Sequence, residues 1–416
     1  MSHEEHILAG RLLDDPWQPP GLGWIRISGG RIVERDEGSP PDHGPILGGD
    51  DALIVPGFVD AHTHLPQIGQ AGCDGLELLD WLDRIIFPAE STWRDPACSI
   101  QGMVGAIDRM LRGGTLGFAG YLTSHPHVVE QFTTTHSNLP LRTIIGQVLM
   151  DQRAPADLLH HPLTLPDRRD ETGRLDWSIT PRFAVGCSDA LLASLQEPAK
   201  DRFVQTHLAE TRAECDLVAQ DHPNLPHYAA VYDEFGLLHE RTLLAHALHL
   251  TKDEWALVAE RRSMIVHCPT ANTFLEAGIF DLRAACEHGV RVLLGSDVAA
   301  GPDISMPRVA RAMIEVAKLR RMTVDDKALV PTPTEAWLMI TRSNAAALGW
   351  ADHGRLAVGD AADLLVLTPN VPHDEHLIGR LLYGWDDAWI RHRIVCGRVR
   401  HPSAAPPAAQ PYTTPT

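Results

Sequence analysis

The rhythm of apolar and polar positions changes along this chain, and each change predicts a different kind of element. Near the start, Trp24-Ile25-Arg26-Ile27-Ser28-Gly29-Gly30-Arg31-Ile32-Val33 alternates apolar with polar side chains on both sides of a Gly-Gly pair. That is the pattern of two strands joined by a tight hairpin. Near the other end, residues 362–367 and 389–395 read as two more short strands, the second followed by Gly397. The two ends are expected to pair into one small composite β domain, a β-sandwich built from residues 1–55 and 356–402.

Between them the rhythm is different. Short apolar segments at residues 53–59, 115–121, 142–150, 178–185, 203–207, 242–246, 263–267 and 291–297 are separated by helix-length stretches, the cadence of βα units and a parallel sheet. Eight such strands predict an α/β fold with a (β/α)8 TIM barrel over residues 56–355, with its active site at the C-terminal ends of the strands. A last helix is expected at 335–348, after Pro333-Thr334 and before Gly349. The tail 403–416, rich in Pro, Ala and Thr, has too little apolar surface to order itself and is expected to be disordered.

Composition narrows the function. The chain has 416 residues, 44% hydrophobic and 22% charged, enough for a barrel of about 250 residues plus a satellite domain. A formal net charge of −18 argues against nucleic acid or an acidic membrane surface as partner, since both are bound by neutralising phosphates. A small polar molecule suits it better. The opening MSHEEHILAG has neither a basic nor an apolar leader region, and no apolar run is long enough to span a membrane, so a cytoplasmic protein is expected. Seven scattered cysteines without a C-x-x-C pair point to neither a disulfide framework nor a thiolate zinc site.

Chemistry concentrates in the histidines. In Val59-Asp60-Ala61-His62-Thr63-His64 the two imidazoles sit two apart at the end of a predicted strand, so both leave on the same face. With 23 histidines in the chain such a pair alone says little. However, His207, His246 and Asp297 end the fifth, sixth and eighth predicted strands, so five ligands would converge on one rim of the barrel. Imidazole and carboxylate without thiolate suit one divalent ion, Zn²⁺ first and Fe²⁺ second, which activates water by lowering its pKa towards about 7. Glu210, three residues past His207, is placed to move protons between that water, a ring nitrogen and a departing amine. Asp297 would share proton handling with His246. His267 is read as a histidine that either supports the ligands from behind or packs in the core.

These residues carry a resemblance. The order H-T-H, H-L-A-E, A-H, H-C-P and G-S-D resembles the amidohydrolase superfamily, in its single-metal aminohydrolase branch. Two-metal cyclic amidases carry a bridging lysine at the end of the fourth strand, and residues 178–187 contain none. Within the branch the chain is similar to guanine deaminases from Pro56 to about Lys318. The similarity is carried by Pro56-Gly57-Phe58-Val59-Asp60-Ala61-His62-Thr63-His64, Gln67, Trp81, Phe87-Pro88-Ala89-Glu90, Thr180-Pro181-Arg182-Phe183 and Asp297-Val298-Ala299.

The resemblance implies hydrolytic deamination of guanine to xanthine and ammonia, a base pocket made by Gln67, Arg182 and Phe183, and a homodimer. A guanidinium suits a ring carbonyl, an amide both donates and accepts, and a phenyl ring supplies an apolar wall. Cys268-Pro269-Thr270-Ala271-Asn272 and Val298-Ala299-Ala300-Gly301 depart from the usual family segments after the seventh and eighth strands. A related heterocycle such as 8-oxoguanine, a pterin or a triazine therefore stays open as substrate, with cyclic amide hydrolysis further behind.

Overall fold

The structure is a computed structural model that describes residues 5–41 and 45–402; the tail expected to be disordered, 403–416, lies outside them. The N-terminal region forms β1 (His6–Leu12), β2 (Gly21–Ser28), β3 (Arg31–Glu37) and β4 (Ile46–Pro56). The middle contributes β5 (Phe58–His64), β6 (Thr115–Tyr121), β7 (Arg142–Gly146), β8 (Val148–Leu149) and β9 (Leu175–Trp177). It continues with β10 (Thr180–Pro181), β11 (Val204–Leu208), β12 (Thr242–His246), β13 (Met264–His267) and β14 (Val292–Leu294). The C-terminal region adds β15 (Leu364–Leu367), β16 (Ile390–Val395) and β17 (Arg398–Arg400).

Both chain ends share one sheet, in the order β17-β16-β15-β4-β1-β2-β3. The predicted hairpin is there, with Gly29 and Gly30 at φ of 58° and 79° in its turn, a conformation that glycine adopts without steric cost. The expected β-sandwich is corrected to this single sheet. It curls instead of stacking on a second one: Leu8, Ile25, Ile32, Ile54, Leu364 and Ile394, from six different strands or their edges, meet in one buried cluster. The Gly30 carbonyl accepts from Ala362 N, whose own carbonyl accepts from Gly397 N, so the two hairpin turns lie side by side.

The middle strands form parallel sheets, β5-β6-β7-β9 and β11-β12-β13-β14, with a parallel pair β8 and β10. Buried on both sides, they read as continuous apolar runs in the sequence, as parallel strands do. Four predicted segments are corrected. Residues 142–150 divide between β7 and β8, which lie in different sheets, and of 291–297 only Val292–Leu294 is a strand. Residues 53–59 divide between β4 and β5 because Gly57 turns the chain from one sheet to the other, and a Cβ there would lie 2.5 Å from the Leu116 side chain. Residues 178–185 are not one strand. Pro181 has no N–H for a ladder; Thr180–Pro181 pairs with β8, while Ile179 before it makes a single parallel bridge to Val204 instead.

Backbone bonds cross both gaps between the parallel sheets. Ile179 N donates to Phe203 O at 2.8 Å and Gln205 N to Ile179 O at 2.9 Å, while Asp297 N donates to His62 O at 2.8 Å and His64 N to Val298 O at 3.1 Å. Two buried side chains reinforce the second gap. Asp60 Oδ1 accepts from His62 N and Ser296 N, and its Oδ2 accepts from Ser296 Oγ. Asn344 donates to Val59 O and Leu294 O and accepts from Leu294 N. Asn344 is delivered by the predicted helix near 335–348, which runs as Pro333–Leu338, a π turn Met339–Ser343 and Asn344–Ala347 and is opened by a Thr332/Glu335 capping box. No helix among the described residues is long and apolar enough to cross a membrane.

Candidate active site

The alternation of β5 puts His62 and His64 on one side of the strand, and the crossing bonds to Asp297 and Val298 bring the end of β14 against them. Asp297 is the hub. Its Oδ1 lies 3.1 Å from His62 Nε2 and 3.3 Å from His64 Nε2, and its Oδ2 lies 3.7 Å from His246 Nε2. His207 Nε2, from β11, is 3.2 Å from His64 Nε2. His62, His64, His207 and Asp297 are buried and offer ligand atoms that all lie within 4.8 Å of one another. The five residues expected from the sequence thus come together as four plus one. His246 groups instead with Cys268 and Asp297, and its Nε2 is nearer to Glu210 Oε2, at 3.4 Å.

Hydrogen bonds fix the tautomers of two of these rings. His207 Nδ1 is 2.6 Å from the Arg182 carbonyl and His246 Nδ1 is 2.9 Å from Asn272 Oδ1. Both oxygens only accept, so each Nδ1 carries the proton and each Nε2 turns a lone pair inward, the arrangement of metal-ligating histidines. Burial pushes His64 down to about 4 and His207 well below its ordinary value, which keeps both rings neutral. Burial alone would raise the Asp297 carboxyl, but hydrogen bonding and charge from His62, joined by His64, hold it well below the usual carboxylate range. His246 Nε2 is buried without a hydrogen-bond partner among the described residues, and His62 Nε2 faces the Asp297 carboxylate at 3.1 Å. Lone pairs converging on a carboxylate leave a cation as the missing element, and this donor set fits a divalent metal.

Glu210 stands beside this cluster. Ala209, at φ 50°, turns the chain sharply after β11, and the Thr211/Glu214 capping box then starts the next helix. Glu214 also accepts from the Glu210 backbone N at 2.8 Å, which fixes where the side chain departs. Burial, with the charges of Asp297 and Glu214, pushes the Glu210 carboxyl well above its ordinary value, and its Oε1 has no hydrogen-bond partner among the described residues. His267 belongs to neither group of ligand atoms; it stacks on Phe280 with ring centroids 4.6 Å apart, and its Nδ1 lies 3.5 Å from Asn272 Nδ2.

Gln67, Arg182 and Phe183 line a cavity together with His64, His207, Glu210 and Asp297, closed on other sides by Leu78, Trp81 and Leu82. The cavity suits a flat ring with polar edges. Sequence reasoning missed the group behind it. Glu90, fully buried, accepts from Gln67 Nε2 at 2.8 Å and takes Arg182 Nη1 on both carboxylate oxygens, each at 2.8 Å. Glu90 stands in the F-P-A-E segment, but nothing in its spacing ties it to an arginine 92 residues away. Asn272, which meets the His246 ring, and Asp60, which accepts from the His62 backbone, were missed in the same way.

The comparisons agree with this geometry. A guanine deaminase of Escherichia coli (strain K12) is 34% identical over 76% of this chain and 73% of its own. A solved guanine deaminase from C. acetobutylicum, with bound guanine in the active site, superposes with a TM-score of 0.87 at 27% identity, covering 95% of this chain and 99% of that one. A 5-methylthioadenosine/S-adenosylhomocysteine deaminase of Halobacterium salinarum is 32% identical over 88% of this chain and 87% of its own. The sequence profile of the Amidohydrolase family matches residues 53–400, and with the ligand cluster at the strand ends this places the chain in that family: it belongs to the amidohydrolase family.

Proposed function

We propose that this protein is a metal-dependent deaminase of guanine, forming xanthine and ammonia. The observation that carries the reading is the Gln67–Glu90–Arg182 arrangement facing the histidine cluster across one cavity, joined to the relatives that are guanine deaminases. The parallel sheets are read as one (β/α)8 barrel over 56–355. That closure is supported by the backbone bonds across both gaps, and the sheet shared by the chain ends supports the composite domain of 1–55 and 356–402.

His62, His64, His207 and Asp297 would hold the ion, with His246 beside it. Zinc suits imidazole ligands and one carboxylate. When bound, the ion supplies the acidity that makes water a nucleophile near neutral pH.

The chain's own groups do the rest. Arg182 and Gln67 hold the edge of the base and Phe183 and Trp81 exclude water from its faces. Glu210 takes a proton from the attacking water and passes it to a ring nitrogen, then takes the second proton from the hydroxyl now on the ring carbon and gives it to the amine as the C–N bond breaks, a task suited to a carboxyl whose pKa burial has raised. His246, fixed by Asn272, orients the water through Nε2.

Incubating metal-replete protein with guanine and measuring ammonia and xanthine tests the reading. No release of ammonia, under conditions where a pterin or another purine turns over, would move the substrate while keeping the reaction class. The relative that deaminates a thioadenosine makes adenine-type bases the comparison to run beside it.

A further inference from the structure

Buried polar side chains are constrained by the partners they can find. In the cavity wall, Gln67, Glu90 and Arg182 are all almost completely buried. A carboxylate only accepts, so the 2.8 Å contact from Gln67 to Glu90 must be made by the amide nitrogen. This commits Gln67 to turn its carbonyl oxygen the other way, and no protein donor meets that oxygen among the described residues. Arg182 is committed likewise. Its Nη1 is taken by both oxygens of Glu90, and among the described residues no protein acceptor meets Nη2 or Nε. Glu90 itself does not line the cavity; Gln67 and Arg182 do.

We propose that Glu90 is a positioning residue that decides which hydrogen-bonding edge the cavity accepts. By fixing both neighbours it presents one acceptor, Gln67 Oε1, beside the N–H donors of Arg182. The complement of that pair is a lactam edge, a ring N–H next to a ring C=O. Guanine carries such an edge. An amidine edge, a bare ring nitrogen next to an amino group, as in adenine, has the two roles reversed and would set acceptor against acceptor and donor against donor. Glu90 also balances the charge of Arg182, so the wall favours a neutral ring over an anion.

This rests on the reading that Gln67 and Arg182 hold the base. Without the carboxylate, Gln67 is free to rotate its amide by half a turn and Arg182 loses the brace that aims it. A site built to hydrogen-bond one edge discriminates by large factors because the wrong edge leaves buried groups unpaired; relaxing the brace gives part of that back.

The experiment is steady-state kinetics of the metal-loaded protein and of Glu90→Gln on guanine and on adenine, with metal content and thermal unfolding measured on the same samples. In Glu90→Gln, KM for guanine is expected to rise about tenfold or more with kcat changed by less than about threefold, and the guanine-to-adenine ratio of kcat/KM to fall about tenfold or more, as one misplaced hydrogen bond implies. A variant that loses stability or kcat with the ratio unchanged would overturn the proposal, because a merely structural residue does not alter which edge is read.

If Glu90→Gln does not yield folded, metal-bound protein, Glu90→Asp decides by the same ratio. It keeps the charge that Arg182 needs and draws the carboxylate back by one methylene; an unchanged ratio there overturns the proposal too. If the parent protein leaves guanine untouched, that result counts against guanine as substrate alone, and the ratio is then measured on the lactam-edged heterocycle that it does turn over.

Discussion

Glu210 Oε2 lies 3.4 Å from His246 Nε2, and both side chains are fully enclosed. His246 Nδ1 is committed to Asn272, so the Nε2 lone pair and the Glu210 carboxyl share one small volume. A raised carboxyl pKa lets the same group hold a proton at one stage and give it up at another. Glu210→Gln keeps size and polarity and removes only this exchange. Turnover should fall by about 10² to 10⁴, the usual worth of general acid–base catalysis, while metal content stays that of the parent. Single-turnover assays with metal analysis check it; near-normal turnover would move the proton shuttle to another group.

Arg182 joins three parts of the site. Its side chain faces the cavity and ion-pairs with Glu90, its guanidinium lies 5.2 Å over the Phe87 ring, and its carbonyl accepts from His207 Nδ1. Arg182→Ala should therefore do two things at once. KM for the base should rise, and because Glu90 would be left as an uncompensated buried charge, stability should drop by roughly 3 to 5 kcal/mol. Denaturant titration beside the kinetics separates the two. A rise in KM without any loss of stability would mean that Glu90 becomes protonated or hydrated in the variant.

Why some of this was legible in the sequence and some was not follows from range. His62 and His64 are two apart on one strand, and local alternation alone put them on one face. His207 and His246 lie at strand ends and Asp297 three residues past β14, so the βα cadence brought them near. Alternation also marked the hairpin at Gly29-Gly30. The split between β4 and β5 was hidden because Leu53 to Phe58 is apolar throughout, buried first in one sheet and then in the other; only the space around Gly57 marks the boundary. Glu90, Asp60, Asn272 and Asn344 act through partners far away in the chain, and a single sequence has no period that reports such a pair.

Asp363, just before β15, is another long-range pair of this kind. It is buried against Arg174 at 2.8 Å, accepts from Cys396 N, and lies 3.4 Å from His353 Nδ1. It ties the start of β9 to the seven-stranded sheet. Burial opposes its ionisation, but the charge of Arg174 prevails and holds the carboxyl far below its ordinary value. The folded pKa lies below the unfolded value of about 3.9. The stabilisation is therefore complete above that pH and disappears as pH falls towards the folded pKa. Asp363→Asn should lower stability by about 3 kcal/mol near neutral pH, and the gap between parent and variant should narrow below about pH 4. Urea titrations at a series of pH values measure it, and a gap that widened on acidification would contradict the assignment.

Gly295 is the least conspicuous residue near the metal cluster and is predicted to be among the least replaceable. It follows β14, donates from its N to His267 O, and lies so close to β5 that an added Cβ would stand 2.7 Å from His62 Cβ and 2.9 Å from His62 N. Neither contact can be relieved by rotating a flexible side chain, since one is backbone and the other is the root of a metal ligand. Gly295→Ala must therefore push β14 away from β5 and carry Asp297, two residues on, away from His62. Overpacking of this sort costs about 1 to 3 kcal/mol. The sharper consequence is for the ion: ligands held at 3.1 Å by shared strand contacts would no longer converge. Metal content after dialysis against a chelator should fall well below that of the parent, and added metal should restore less of the thermal stability, because stabilisation by binding to the folded state grows with the logarithm of the affinity. Equal metal retention in the two proteins would mean that the β5–β14 spacing does not set the geometry of the cluster.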